Sequence, residues 1–162
     1  NKYPAQAIHR IDYETSGLVL FCKHPLFQAY CDKNMEEHHI KKEYIALVQG
    51  HTNYKNKKII SNIARDRHNA KKMIIHPNGK ESVSIFNTLE NYKDCSLIQV
   101  TILTGRKHQI RVQCASLNHP ILNDPLYGGK KIDNTGLLLQ SHHIQFNDVD
   151  ITCPQEKRFI RK

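Results

Sequence analysis

No stretch of this 162-residue chain approaches the roughly 20 apolar residues of a membrane-spanning helix, and its basic clusters lie outside any strongly amphipathic helix, so no membrane partner is expected. No Cys-x-x-Cys pair is present either. Cys22, Cys31, Cys95, Cys114 and Cys153 are odd in number and widely spaced, which argues against a disulfide framework or zinc knuckle and for a reducing cytoplasmic location. The sequence also lacks a Gly-x-x-x-x-Gly-Lys loop, a Gly-x-Gly-x-x-Gly turn and a Gly-x-Ser-x-Gly elbow, so nucleotide-driven transfer and serine hydrolysis have no foothold. His38-His39 and His142-His143 are adjacent pairs that would point to opposite faces of a strand, and no metal site is expected from them. Acid is in short supply: Asp+Glu 15 against Lys+Arg 24 leaves a formal charge of +9, spread through Lys55/Lys57/Lys58, Lys71/Lys72, Lys130/Lys131 and the tail from Arg158 to Lys162. The expected partner is therefore acidic, and nucleic acid fits best. The chain opens on Asn1 with no charged-then-apolar leader.

What is present fits one domain with a single core, at 39% hydrophobic residues. Leu18 to Lys23 predicts a short strand, and Pro25 opens a helix with Phe27, Tyr30, Cys31 and Met35 at helical spacing. Further strands are expected at Glu43 to Val48, Lys58 to Ala64, Lys72 to His76, Ser82 to Asn91 and Ser96 to Thr104, with a turn at Pro77-Asn78-Gly79-Lys80. From His108 a helix carries Ile110, Cys114 and Leu117 on its apolar side until Asn118-His119-Pro120 stops it. Asn123-Asp124-Pro125 and Tyr127-Gly128-Gly129 mark a loop, and Leu137 to Phe146 and Val149 to Cys153 supply closing strands. Many strands joined by turns, with two useful helices, predict an α+β fold: a mostly antiparallel mixed sheet with packed helices, in one domain over residues 1–162.

Two polar clusters could carry chemistry. In the first, Asp12 precedes Glu14-Thr15-Ser16-Gly17, where an aspartate either shapes the turn through its side chain or serves as a reactive carboxylate. His9 reads as a polar residue tying down a strand end, and Arg10 as a solvated cation. In the second, Thr104-Gly105 leads into Arg106, Lys107 and His108, and the helix start behind them is a plausible phosphate seat. Arg111 lies between Ile110 and Val112 and so starts nearer the core, where a guanidinium needs a carboxylate. Tyr44, on an alternating strand, reads by itself as a half-buried sheet aromatic.

Taken together, His9-Arg10-Ile11-Asp12 with Thr15-Ser16-Gly17-Leu18, Lys42-Glu43-Tyr44-Ile45-Ala46, Gly105 to Arg111, and His119 to Gly128 resemble, in order and spacing, the RluA-type pseudouridine synthases across nearly the whole chain. The resemblance implies conversion of uridine to pseudouridine in structured ribosomal or transfer RNA without a cofactor. By matching position it implies that Asp12 is the essential carboxylate and that Arg111 pairs with it; a cation about 4 Å away is worth on the order of 4 kcal/mol at an effective dielectric of about 20. It further implies that Tyr44 lies against the uracil and is a candidate for removing the carbon-5 proton, that Arg10 fills the space left by a flipped-out base, and that Arg106 and His108 grip phosphates. Lys107 stands where the family usually has a small hydroxyl residue and could add a phosphate contact; Ile11 replaces the usual leucine, a volume-conserving change. Family catalytic domains usually begin several tens of residues earlier, so an N-terminally truncated, monomeric catalytic domain is expected. The alternatives are a non-catalytic basic RNA-binding module and, more remotely, a metal-dependent hydrolase.

Overall fold

The structure, a computed structural model, describes residues 4–160. Its strands and helices run β1 (Gln6–Ala7), β2 (Ser16–Gly17), β3 (Phe21–Cys22), α1 (Pro25–Glu36), β4 (Lys41–Gln49), β5 (Lys57–Arg65), β6 (Met73–Ile75), β7 (Lys80–Asn91), β8 (Cys95–Ile102), α2 (Gln109–Ser116), β9 (Leu139–Phe146) and β10 (Val149–Thr152). Seven strands form one sheet in the order β10-β9-β4-β8-β7-β5-β6, every pair antiparallel, while β2 joins β9 in parallel. This is the expected α+β architecture.

Of the strand expected from Leu18 to Lys23 only Phe21–Cys22 is strand, and a second short strand, Ser16–Gly17, lies just before that range. Ser16-Gly17 pairs with β9, the chain then leaves the large sheet, and Phe21-Cys22 pairs with β1 in a small ribbon. The break follows from where each end finds hydrogen bonds: Leu18 N–H donates to the Ser141 carbonyl, and Leu20 N–H to the His9 ring. Gly17 is required at the crossing, since its φ of +101° is left-handed and a Cβ there would collide with the Ser141 carbonyl oxygen.

α1 opens as its sequence dictates: the His24 side chain accepts the Leu26 N–H and Pro25 occupies the first turn, where no N–H is needed. α2 departs from the amphipathic expectation, because Gln109 to Cys114 are all buried. Its polar residues are satisfied inside. Gln113 accepts from Ser84 and donates to Ser61 and Ser82, so the helix is locked onto β5 and β7 by side-chain hydrogen bonds as well as by Ile110 and Cys114. Asn118, in the left-handed conformation at φ 62°, ends it.

β4 is the central strand, and Lys42 to Val48 are buried without alternation because β8 and β9 flank it and both faces are covered. A register shift opposite Glu43/Tyr44, with Glu43 facing His143 and Tyr44 facing Ser141, sends these neighbours to different surroundings. Glu43 meets His143, whose ring lies 2.6 Å from Glu43 and 2.8 Å from Asp150 and so staples β4, β9 and β10. The hydrogen bond to Asp150, and then that to Glu43, raises the His143 pKa above 6.5 against the opposing effect of burial. Stability from this charge is fully present below 6.5 and is lost as pH rises through the folded-state value. Melting temperatures measured between about pH 6 and 9 should fall more steeply for the native chain than for His143→Gln; parallel curves would contradict the staple.

Candidate active site

The chain segment that carries Asp12 is tied to the sheet at both sides. Thr15 N–H donates to the Asp12 carbonyl, β2 follows on the edge of β9, and Arg158 donates to Ser16 Oγ. Its side chain is therefore free of the turn-shaping role and faces the N-terminal end of α2. Asp12 Oδ2 stands 3.8 Å from Arg111 Nη1 and Asp12 Oδ1 stands 4.0 Å from His108 Nε2. Two clusters separated by almost a hundred positions in sequence thus meet.

Arg111 is 3% exposed, and its principal partner is a residue that sequence reading treated only as part of a loop. Asp124, fully buried, accepts from Arg111 Nε and Nη2, both at 2.8 Å. Asp12 and Glu14 complete an acidic ring at 3.8 and 3.6 Å. Asp124 fixes the guanidinium plane, and Nη1 is left to face Asp12, the carboxylate expected to pair with Arg111. The loop that delivers Asp124 is built onto β4, with Leu122 N–H donating to the Leu47 carbonyl and Gly129 N–H to the Asp124 carbonyl. Gly129 must lack a side chain, because a Cβ would collide with the Ile121 carbonyl oxygen.

His108 sits in left-handed backbone at φ 54°, immediately before α2. Its ring pairs with the Tyr127 hydroxyl at 2.7 Å and stands edge-on to that ring, while Arg111 lies over the same tyrosine at 5.1 Å. His108 therefore stands at the carboxylate end of the cleft, next to the Arg106-Lys107 rim. Burial lowers its pKa, with Asp12 pulling the other way.

Arg10, Arg106 and Lys107 are exposed at the rim of one cleft that Asp12, Tyr44, His108 and Arg111 also line, so every site residue expected from sequence borders the same space of about 640 Å³. Volumes of this order hold ligands of nucleotide size. Arg106 is tethered, its Nε donating to the Glu81 carbonyl, and the Gln109 side chain accepts its backbone N–H. The phosphate seat at the helix start is thus partly filled by the protein's own glutamine. Tyr44 is 6% exposed, and burial pushes its phenol up to about 12. Lys42, two residues earlier on β4, also lines the cleft. Lys42, Asp124 and Tyr127 all lie in segments that resemble the family, but no local pattern marks which charged or aromatic residue of a strand or loop turns inward.

Of the basic tail, Arg158 is occupied by Glu156, the Thr135 carbonyl and Ser16, and Arg161 and Lys162 lie outside the described residues. Among the described residues no cluster of His, Cys, Asp or Glu is arranged to hold a metal ion, and no helix is long and apolar enough to cross a membrane.

Residues 1–116 match the sequence family described as RNA pseudouridylate synthase. The chain is 40% identical over 124 residues to the uncharacterized RNA pseudouridine synthase YhcT of Bacillus subtilis, covering 75% of this chain and 41% of the relative. It is 38% identical over 135 residues to ribosomal large subunit pseudouridine synthase C of Buchnera aphidicola, covering 82% and 42%. The solved structure of human RNA pseudouridylate synthase domain containing 1 superposes with a TM-score of 0.85 at 25% identity, over 94% of this chain and 69% of that one. The chain spans about half the length of the curated relatives it matches.

Proposed function

Because the chain belongs to the RNA pseudouridylate synthase family, we propose that it isomerises uridine to pseudouridine in structured RNA, with Asp12 as the carboxylate that acts on the ribose. The observation that carries this reading is the meeting of Asp12 with Arg111 and His108 at 3.8 and 4.0 Å in a cleft of nucleotide size. Asp12 attacks C1′ of the target, and the electron pair of the glycosidic bond leaves with the uracil. After the base rotates, carbon 5 bonds to C1′ as Asp12 departs, carbon 5 gives up its proton and N1 gains one. Arg111, held in plane by Asp124, keeps a fixed positive charge opposite the carboxylate throughout.

Tyr44 supplies a ring face for the uracil. Its phenol, raised to about 12, is protonated before catalysis, so it can accept the carbon-5 proton only as its own proton leaves. Arg10, exposed at the cleft edge, is suited to enter the stack vacated by the flipped base, an extrusion that costs a few kcal/mol. Arg106 and Lys107 attract the backbone, and no cofactor takes part. The naming of relatives as ribosomal large subunit synthases favours ribosomal RNA over transfer RNA, and hence a cytoplasmic site of action.

Incubation with ribosomal RNA carrying tritium at uridine carbon 5, prepared from cells lacking the gene, tests the reaction. Release of tritium to water is expected. No release from any cellular RNA would overturn the proposal.

A further inference from the structure

We propose that Lys42 and His9 form a buried anion subsite in this cleft that takes one backbone phosphate of the bound RNA, an inference that relies on RNA being the cleft's ligand. Lys42 is 7% exposed, and among the described residues its ammonium donates only to the Met35 thioether at 3.0 Å, a weak acceptor. Among the described residues no carboxylate forms an ion pair with it. A buried cation without a partner is costly, and this protein demonstrates the ordinary solution at Arg111, which receives a bidentate carboxylate. Lys42 is left open to the cleft instead.

His9 presents a second unmet demand at the same place. Its Nε2 accepts the Leu20 N–H at 3.1 Å, so the neutral ring carries its proton on Nδ1. That Nδ1 is buried and makes no hydrogen bond of ordinary geometry; the Arg10 backbone is near enough only to pull the ring's pKa upward. Burial first and then the charge on Lys42 push it down, and both side chains line the same cleft. Gly105 lies beside the ammonium: a Cβ there would stand 3.9 Å from Lys42 Nζ, so the glycine itself places no side chain between Lys42 and the Gly105-Arg106-Lys107 turn.

An ammonium and an N–H donor sharing one pocket are satisfied together by an oxyanion. Uridine itself is neutral, so a nucleotide brings full negative charge only through its phosphate. The reacting carboxylate is not the occupant, because Asp12 lies at the other end with His108 and Arg111.

Lys42→Met, whose thioether suits the Met35 surroundings, should melt no lower than the native chain. It should bind a fluorescein-labelled oligouridylate about fivefold more weakly at about 100 mM KCl, with the log affinity against log salt slope shallower by about 0.7. Lys42→Gln is measured beside it, so that a packing change in one variant does not decide the outcome. Unchanged affinity and slope in both would overturn the subsite, and so would a loss confined to kcat, which would place the cation on the uracil. The readout is equilibrium binding. A salt effect without tritium release would leave the subsite standing while removing the isomerase reading, and tritium release with an unaltered slope would do the reverse.

Discussion

Asp12→Asn is expected to abolish tritium release, by at least about 1,000-fold, while RNA affinity stays equal or rises slightly. The substitution changes one oxygen to an amide nitrogen and little else. The turn does not depend on the carboxylate, because Thr15 N–H is held by the Asp12 backbone carbonyl, which asparagine keeps. What is lost is the charge that faces Arg111 and the oxygen that would bond to the sugar. Removing a negative group from a cleft rimmed by Arg10, Arg106 and Lys107 favours a polyanion if it has any effect on binding. Filter binding and tritium release measured on the same preparation separate an enzyme from a passive RNA-binding module. Residual activity within about tenfold of the native chain would end the assignment of Asp12.

The second large effect is expected at a residue that touches no substrate. Asp124→Asn should destabilise the fold by about 3–5 kcal/mol, because the Arg111 guanidinium is left in the interior without its bidentate partner. For a chain of this size that corresponds to a fall in melting temperature of about 10 °C. Activity should fall further than the loss of folded protein explains. Once released from Asp124, Arg111 is within reach of Asp12 and Glu14, at 3.8 and 3.6 Å, and a closer pairing would block the carboxylate that must react. Asp124→Leu combined with Arg111→Met tests the separation of roles, since replacing both ions by apolar groups should recover most of the stability and none of the turnover. Urea denaturation gives the first quantity and tritium release at a temperature where the variants are folded gives the second. If Asp124→Asn melts with the native chain, the buried pair does not hold Arg111.

These expectations differ in how far ahead of the structure they could be made. Arg111 is marked by its own neighbours, a cation enclosed by Ile110 and Val112, whereas an acid before Thr-Ser-Gly also fits a turn-shaping role and only the family resemblance singles out Asp12. Burial of Arg111 demanded a carboxylate, but nothing in the sequence chooses among 15 acids, and Asp124 is selected by a loop that β4 and Gly129 fold under α2. Lys42 was hidden for the opposite reason. A lysine at a strand start usually signals the solvated face, and only the flanking β8 and β9 with Met35 of α1 cover it.

By itself the sequence determined the properties that depend on near neighbours. These are the places of most strands, the opening of α1 at Pro25, the end of α2 at Asn118-His119-Pro120, the basic surplus and the segments that mark the family. Only the tertiary structure decided which charges are matched and which are left waiting. Arg111 is closed by Asp124, His108 is turned inward to Tyr127, and Lys42 and His9 line the cleft with no carboxylate paired to them among the described residues. The reason is one of range: backbone preference acts over a few residues, whereas the cost of a buried charge is settled by whatever group, at any distance along the chain, packing brings within a few ångströms.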